Sequence, residues 1–351
     1  ALSGLTYAKQ GFHHEALKEA REGYELAQKQ LGEKSHPGFG LAALISAINY
    51  EYDELELADK YLDGALEYLK EQSSTDMLMA AYETKARLFM NDGSVEEGIG
   101  FLKDGIKWSE SQSLKRLYLK LADELVVWLL RHHRVAEAEQ YSSQYDLILG
   151  EAAGFDLERL EHKIAARSMV YMMLESQDYS GVLSVLSRLI ERAEKFGHLR
   201  RLAEWLKLES ISYWLAGEKS RSAQSLIKAL EIASTQNYFR LFLDDRALLS
   251  PILTYVEAKS KGSHYYSFLQ ALSNKSAPAS QAVVSNNVEA LTAKETVIIK
   301  KLAQGSANKD IAAELYISEG TLKWHLHNIY SKLQVKNRSS AVLVAREQGY
   351  L

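Results

Sequence analysis

Hydrophobic residues recur at helical spacing through most of this chain, and near its C-terminus they form one continuous stripe. Leu322, Leu326, Ile329 and Leu333 stand at positions i, i+4, i+7 and i+11, a spacing that places side chains on a single face of an α-helix. The opposite face of this helix, called the stripe helix below, is polar and carries Gly320, Trp324, His327, Asn328 and Ser331, flanked by Thr321 and Lys323. The pattern predicts one face packed on a core and a polar, basic face open to a partner.

Helix start and stop signals surround the stripe helix within the last 61 residues. Thr292 followed by Glu295 is the pattern of a capping box, in which each side chain binds a free amide at the start of a helix. Gly305 can take the left-handed conformation that ends a helix. Asn308 and Ser318 can cap two further helices through their side-chain oxygens. Together these signals predict a compact module of four helices.

A turn followed by a small or β-branched residue on a second helix recurs six times before this module. The recurring residues are separated by 42, 40, 40, 44 and 41 positions and are Ala16, Ala58, Gly98, Ala138, Val182 and Ala223. Small residues there let paired helices approach closely, and stacked hairpins bury a continuous core. We therefore predict six helical hairpins that resemble a tetratricopeptide superhelix, with units longer than the usual length of about 34 residues.

These patterns divide the chain into three parts and predict an all-α fold. Residues 1–256 form the tetratricopeptide-like repeats, residues 257–289 a terminal helix and flexible linker, and residues 290–351 the C-terminal module. Within the linker, Asn274 to Asn287 is rich in Ser, Ala and Asn, contains Pro278 and has no periodicity. Such a composition is typical of a flexible tether.

The C-terminal module and the rest of the chain differ in charge. Residues 290–351 hold nine Lys and Arg against five Asp and Glu, a balance of +4, whereas the remaining residues hold 33 against 41, a balance of −8. A basic module on an acidic body suits a protein that contacts nucleic acid at one end only.

The composition argues against several other classes of protein. The chain has no cysteine, which excludes disulfides, thiol nucleophiles and thiolate metal sites and suits a reducing cytosol. The longest apolar stretches are too short to span a bilayer, so we expect a cytoplasmic protein with no membrane contact. Because the chain begins at Ala1, without Met and inside a helical pattern, we expect it to be a piece of a longer protein.

No constellation of residues indicates catalysis or metal binding. The pairs His13-His14 and His132-His133 are adjacent in sequence and lack the i, i+4 spacing of zinc ligands on a helix. No Gly-x-Ser-x-Gly or other nucleophile motif is present. We therefore expect neither enzymatic activity nor a metal site.

The last 61 residues resemble the LuxR-type helix-turn-helix in an ordered series of short motifs. In this chain the motifs are Leu291-Thr292, Ala307 to Ala312, Ile317-Ser318, Thr321 to Lys323, His325-Leu326, Asn328 to Tyr330, Lys332-Leu333 and Arg338 to Ala341. Many ordered matches without a gap make the resemblance specific. Ala293 stands where the family often has Pro, and Val297 where it often has Glu. Both departures lie in the first helix of the module and leave the stripe helix unaffected.

The resemblance implies that the module binds double-stranded promoter DNA. Lys323, Trp324 and His327 would then face base edges in the major groove, with Trp324 at a position that varies within the family. Residues that would contact phosphates, and so contribute affinity rather than sequence preference, are Lys309, Thr321, Lys332, Lys336 and Arg338.

The resemblance also implies a homodimer on DNA. In LuxR-type modules the last helix pairs two copies on an inverted repeat. The corresponding residues of this chain are Ala341, Val342 and Ala345.

The repeats resemble those of large MalT-like LuxR-type activators. Tyr238 to Asp245, followed by Leu248-Leu249, is similar to the segment that closes the repeat domain in that subfamily. Those activators place a nucleotide-binding domain before the repeats. No Gly-x-x-x-x-Gly-Lys-Ser/Thr motif occurs here, and Gly32 to Ser35 lacks the earlier Gly that a phosphate-binding loop needs. We therefore expect no ATPase domain and no cofactor in this chain.

Aromatic residues recur through the repeats and have two interpretations. They are Tyr50, Tyr52, Trp108, Trp128, Tyr171, Trp205, Tyr213 and Trp214. Packing between helices is the favoured interpretation, because aromatic side chains bury large areas. The alternative is a concave groove that stacks a small effector, as MalT-like proteins do with an oligosaccharide.

Two hypotheses of function follow. The first is a DNA-binding transcriptional regulator, an activator, whose repeats sense a small-molecule effector or a protein partner. The second is a tetratricopeptide-like scaffold for protein interaction, in which the C-terminal module serves mainly in assembly. Sequence-selective DNA binding with a steep salt dependence distinguishes the first from the second.

Overall fold

The computed structural model of the chain contains helices and no strand in the residues that it describes. The described residues are 2–32, 35–72, 74–145, 147, 159–276, 293–306, 308–314, 338–347 and the single positions 322, 326, 329, 333, 335 and 350. They fall into two compact units, the repeat unit (Ala1–Pro278) and the C-terminal unit (Ala279–Leu351). Each unit is described by itself.

Helices of the repeat unit pair into six hairpins, which confirms the predicted number for the described part of the chain. Hairpin 1 joins α1 (Leu2–Gln10) to α2 (His13–Leu31), hairpin 2 joins α3 (His36–Glu51) to α4 (Leu55–Leu62) and α5 (Ala65–Gln72), and hairpin 3 joins α6 (Thr75–Asp92) to α7 (Val95–Ser111). Hairpin 4 joins α8 (Lys115–Arg131) to α9 (Val135–Gln144), hairpin 5 joins α10 (Leu160–Glu175) to α11 (Tyr179–Phe196), and hairpin 6 joins α12 (Leu199–Leu215) to α13 (Lys219–Gln236).

Each hairpin turns at one residue with a positive φ. These residues have φ between 58° and 94° and are Gly11, Asp53, Gly93, His133, Gln177 and Gly217. In this region of backbone space the chain can leave the first helix and start the second within a few residues, and glycine adopts it without steric cost. The turn recurs at the predicted period because each hairpin contains one such positive-φ residue between its helices.

The recurring small residues lie on the second helix of each hairpin and are buried. Gly98 shows why they must be small: a Cβ built there would lie 2.8 Å from Met90 Cε of the partner helix. Ala16, Ala58 and Ala138 are fully buried in the same way. Close approach of the two helices therefore sets the residue size at these positions, as predicted.

The aromatic residues of the repeats are mostly part of the core. Tyr50, Trp128, Tyr171 and Trp205 are each at most 5% exposed and belong to the main hydrophobic cluster. Those that are half-buried are Tyr52, Trp108, Tyr213 and Trp214. Core packing, the favoured interpretation, is confirmed for the first four.

Three shorter helices complete the repeat unit: α14 (Phe239–Leu243), α15 (Arg246–Glu257) and α16 (Tyr266–Ser276). Helices α15 and α16 pack on hairpin 6 and α14 packs on α3. Because α16 extends to Ser276, the first three residues of the predicted tether, 274–276, are helical rather than flexible. The rest of that tether lies outside the described residues.

The C-terminal unit contains α17 (Ala293–Ala303), α18 (Asn308–Glu314) and α19 (Arg338–Glu347). Gly305 has φ +88° directly after α17, as predicted for the end of the first helix. Thr292 and Ser318 lie outside the described residues. None of the described helices in either unit has both the length and the apolar character needed to cross a bilayer.

Candidate DNA interface and the ionic network inside the repeat unit

The apolar face of the stripe helix forms the centre of the C-terminal unit. Leu322, Leu326, Ile329 and Leu333 are between 0% and 6% exposed, so the predicted stripe is confirmed. They pack against residues of the other three helices, which are Ile298, Ile299, Leu302, Ile311, Ala341 and Ala345. These four residues therefore lie in the core of the C-terminal unit.

The predicted base-reading residues Lys323, Trp324 and His327 lie outside the described residues. The same holds for three predicted phosphate contacts, which are Thr321, Lys332 and Lys336. Lys309 is exposed in the first turn of α18, where a phosphate contact is sterically possible. All seven positions stay predictions.

Arg338 has a role that the sequence did not reveal. Its Nη2 donates hydrogen bonds to the backbone oxygens of Leu302, at 3.0 Å, and Ser306, at 2.8 Å. These carbonyls belong to the C-terminal end of α17 and the turn after it, where a helix has unpaired acceptors and favours a cation. Arg338 therefore ties α19 to α17, and a phosphate contact by its remaining N–H groups stays a prediction.

Two of the three residues predicted for pairing are part of the core of the C-terminal unit. Ala341 and Ala345 are fully buried in the core of their own unit, because they face the stripe helix and α17. Val342 packs partly on the same core and keeps some exposed surface. The pairing of two modules through this helix stays a prediction.

Lys300 is a candidate that the motif analysis missed. It is exposed on α17, whereas its neighbour Lys301 forms an ion pair with Glu314 of α18. Only the exposed lysine is therefore available to a phosphate. Sequence reasoning had no means to separate the two, since adjacent lysines differ only through their tertiary contacts.

Buried ion pairs lie between the first helices of successive hairpins. Glu124 of α8 accepts hydrogen bonds from Arg87 Nε, at 2.8 Å, and Arg87 Nη2, at 2.9 Å, and from Arg167 Nη2. Burial alone would raise the pKa of Glu124, but the charges of Arg167 and Arg87 outweigh it and hold this pKa well below its usual range. Hairpins 3, 4 and 5 thus meet at one carboxylate.

A second carboxylate, Asp245, lies after α14 and is fully buried. Its oxygens accept hydrogen bonds from Arg131 Nε, at 2.8 Å, from the Tyr171 hydroxyl, at 2.6 Å, and from Lys207 Nζ. Burial opposes the charge of Asp245, yet Arg131 and Lys207 lower the pKa of its carboxyl far below the usual range. Asp245 thereby joins hairpins 4, 5 and 6.

The neighbouring Asp244 binds hairpin 2. The Tyr50 hydroxyl donates to Asp244 Oδ1 at 2.9 Å, and Arg240 Nη2 lies 2.9 Å from the same atom. Arg240 also donates from Nη1 to Asp53 Oδ1, at 2.9 Å, in the turn of hairpin 2. Because the hydroxyls of Tyr50 and Tyr171 are engaged by aspartates, these two tyrosines do not line an open groove in this structure.

Hairpins 1 and 6 contact each other, although they are the two ends of the stack. The backbone N–H of His13 donates to Gln236 Oε1 at 2.8 Å, and the Tyr238 hydroxyl donates to the Gly11 carbonyl. Hairpin 2 also reaches hairpin 6, since Arg200 Nε donates to Glu51 Oε1 at 2.8 Å. The superhelix therefore closes on itself after six hairpins.

Cavities open on the surface of the described part of the repeat unit, and two of them have the volume of a small ligand. The first, of about 380 Å³, lies between α9 and α10 and is lined by Val135, Glu139, Leu147, Met169, Met172, Met173, Glu175 and Ser176. The second, of about 400 Å³, lies between α13, α14 and α16 and is lined by Ser234, Thr235, Asn237, Phe239, His264, Ser267, Phe268 and Ala271. The described residues contain no cluster of side chains with the composition of a metal site.

Stacked helical hairpins followed by a helix-turn-helix core define a class of regulator, and the comparisons with known proteins agree. The chain belongs to the family of the MalT-like TPR region, which its residues 3–259 match. Residues 289–345 match the luxR family of bacterial regulatory proteins. The C-terminal match supports a DNA-binding regulator.

Curated relatives resemble the chain over most of its length. It is 21% identical over 365 residues to the HTH-type transcriptional regulator AlkS of Ectopseudomonas oleovorans, covering 99% of this chain and 39% of that protein. It is 20% identical to AlkS of Pseudomonas putida, covering 89% of this chain and 35% of that protein. The chain thus spans less than half the length of these relatives.

A shorter relative matches the C-terminal part at higher identity. The CsgBAC operon transcriptional regulatory protein of Escherichia coli is 47% identical over 57 residues, which cover 16% of this chain and 26% of that protein. The higher identity of this segment agrees with its separate match to the luxR family.

Proposed function

We propose that this chain is the sensing and DNA-binding part of a bacterial transcriptional activator. Its C-terminal unit binds double-stranded promoter DNA as a homodimer, and its repeat unit responds to a small-molecule effector or a protein partner in the cytoplasm. The main support for the proposal is the burial of the stripe Leu322, Leu326, Ile329 and Leu333. A helix-turn-helix needs such a packed core, and the same segment matches the luxR family.

The charge distribution supports the same division of labour. The C-terminal module has a balance of +4 and the rest of the chain −8. Phosphates attract the module and repel the repeats, so DNA contact is confined to one end. The exposed Lys300 and Lys309 add charge where α17 and α18 can approach a backbone.

Selection from a random DNA library tests the proposal without knowledge of the promoter. The full chain is expected to enrich one sequence with inverted-repeat symmetry, because two modules bind as a homodimer. Lys323→Ala combined with Trp324→Ala is expected to abolish this enrichment. Arg346→Ala, which removes an exposed charge of α19, serves as the matched control and is expected to retain it. Failure of the full chain to enrich any sequence would favour the scaffold function.

The cavities are the first places to look for an effector. Both lie in the described repeat unit and have the volume of a small ligand site. Native mass spectrometry of the purified chain is expected to reveal a co-purified small molecule or a protein. Met172→Trp in the first cavity and Ser267→Trp in the second would distinguish the sites. Only the substitution that fills the occupied cavity should release the bound molecule.

A further inference from the structure

Residues 238–245, called the closing segment below, contact five of the six hairpins. Tyr238 reaches hairpin 1, Asp244 reaches hairpin 2, and Asp245 reaches hairpins 4, 5 and 6. The backbone carbonyl of Leu241 also accepts a hydrogen bond from Lys207 Nζ at 3.1 Å. In an ordinary stack each hairpin contacts only its neighbours, so a segment that binds five of them at once requires a separate explanation.

The polar contacts of the closing segment permit little change in geometry. Asp245 receives Arg131, Tyr171 and Lys207 from three different hairpins within hydrogen-bonding distance. If one hairpin rotates relative to the next, at least one of these bonds must break and leave a charge buried without its partner, which is strongly unfavourable. The closing segment must therefore move whenever the curvature of the superhelix changes.

The closing segment is also attached to α16, the last described helix before the C-terminal unit. The centroid of the Phe268 ring of α16 lies 4.5 Å from the ring centroid of Phe239 and 6.2 Å from that of Phe242. At the end of α16, Lys275 Nζ lies 2.5 Å from Asp53 Oδ2, and Asp53 also binds Arg240 of α14. A movement of the closing segment therefore reaches α16 through both apolar and ionic contacts.

We propose that the closing segment couples the curvature of the six-hairpin superhelix to the packing of α16 against the repeat unit. A change in this curvature thereby reaches the part of the chain that leads to the C-terminal unit. This regulatory device goes beyond the proposed function, because the coupling exists in the repeat unit whether or not the C-terminal unit binds DNA. In this structure the three bonds of Asp245 are all made, and a packed element of this kind shifts between arrangements rather than deforming continuously.

Hydrogen exchange followed by mass spectrometry on the full chain tests the coupling from a distance. Glu51→Gln weakens the bond between hairpins 2 and 6 at Arg200. Because Asp53, two residues away in the same turn, pairs with Lys275 of α16, the substitution is made in the Lys275→Gln background and compared with Lys275→Gln alone. Coupling predicts that amide exchange in 266–276 rises at least fivefold in this variant. Exchange in α7, the second helix of hairpin 3, is expected to stay unchanged, since none of its residues makes the bonds described above. Unchanged exchange in 266–276 would overturn the proposal.

Two further variants test separately the bonds of the closing segment to the hairpins and the ionic contact of α16. They are Asp245→Asn and Lys275→Gln. Asp245→Asn is expected to raise exchange in both 238–257 and 266–276, and Lys275→Gln in 266–276 alone. Asp59→Asn, which removes an exposed ion pair with Lys85, is the control and should change neither segment. A rise of equal size in every hairpin of Asp245→Asn would mean general destabilisation and would contradict the coupling.

Spin labels give an independent measure of curvature, since the chain has no cysteine. Glu25→Cys on α2 and Lys228→Cys on α13 place labels at exposed positions on hairpins 1 and 6. One narrow distance is expected in the parent chain, and a second, longer distance after Glu51→Gln or Asp245→Asn. A distance distribution that neither substitution alters would refute the link between the ionic contacts and the closed superhelix.

Discussion

Charged residues inside the repeat unit specify its arrangement more than they add to its net stability. Glu124 and Asp245 have no exposed side-chain surface, and each is bound by two cations from different hairpins. The cost of removing such groups from water largely offsets their attraction. An intact pair therefore contributes little net free energy, whereas a broken pair leaves an unpaired charge in the core. Specificity of packing is the main consequence.

Removal of the Glu124 charge is expected to be costly. Glu124→Gln leaves Arg87 and Arg167 without their shared anion, so the free energy of unfolding should fall by about 3–5 kcal/mol. Urea denaturation followed by circular dichroism measures this change. Asp59→Asn, at an exposed pair, should cost no more than about 1 kcal/mol. Equal losses in the two variants would contradict the structural role of the network.

His13 is expected to make the repeat unit sensitive to mild acid. Burial, followed by the charges of Arg200 and His14, lowers the pKa of His13 to about 3, whereas in an unfolded chain it is about 6.5. Because the folded pKa is the lower one, the neutral ring contributes stability above pH 6.5 that is lost as the pH falls towards 3. Between pH 7 and pH 5 the loss should be on the order of 2 kcal/mol.

The variant His13→Phe tests this assignment. Phenylalanine keeps a ring beside Tyr238, whose centroid lies 4.8 Å from that of His13, and cannot be protonated. Urea denaturation at pH 7 and pH 5 should therefore show a smaller pH effect in His13→Phe than in the parent chain. A pH effect of the same size in His13→Phe would assign it to other groups.

At the scale of helices, local sequence signals predicted most of the fold. The six turns, the small residues after them and the apolar stripe each depend on residues within one or two helical turns. Two features were not predictable in this way. The second helix of hairpin 2 is interrupted at Gly64, with φ +67°, and the Asp245 network joins residues 38 to 114 positions apart. Such contacts exist only once the superhelix has closed.

The candidate site was predictable to a smaller extent. The motif pattern located the C-terminal unit and its buried stripe, because the pattern is local. It could not show that Arg338 binds the end of α17, that Ala341 and Ala345 face inwards, or that Lys300 is exposed. These three features depend on how the helices pack, and exposed and buried faces of a short helix such as α19 differ by only one residue in sequence.

Two of the three glycines of α7 allow a test of helix packing. A Cβ at Gly105 would lie 2.7 Å from Tyr82 Cε1 and 3.1 Å from Leu121 Cδ1, whereas at Gly100 no neighbour lies within 4 Å. Gly105→Ala should lower the free energy of unfolding by about 1–2 kcal/mol through overpacking. Gly100→Ala should raise it by up to about 1 kcal/mol, since alanine favours the helix. Thermal unfolding of both variants checks these opposite signs, and stabilisation by Gly105→Ala would show that α7 packs more loosely.

At the scale of the whole molecule, the two units differ in charge and have separate cores. The repeat unit is closed by contacts between its first and last hairpins and is acidic, and the C-terminal unit is basic with its own core. The match to the luxR family lies entirely within the second unit. We therefore propose that the chain binds duplex DNA in a sequence-selective way.

The affinity of the full chain for DNA over a salt series tests this claim most directly. Fluorescence anisotropy would compare the duplex obtained by selection with a base-shuffled duplex between about 50 and 200 mM salt. We expect the chain to bind the selected duplex at least about 10³-fold more tightly than the shuffled one, and its affinity for both to fall steeply as the salt concentration rises. Equal affinity for the two duplexes, or binding that does not change with salt, would contradict this claim.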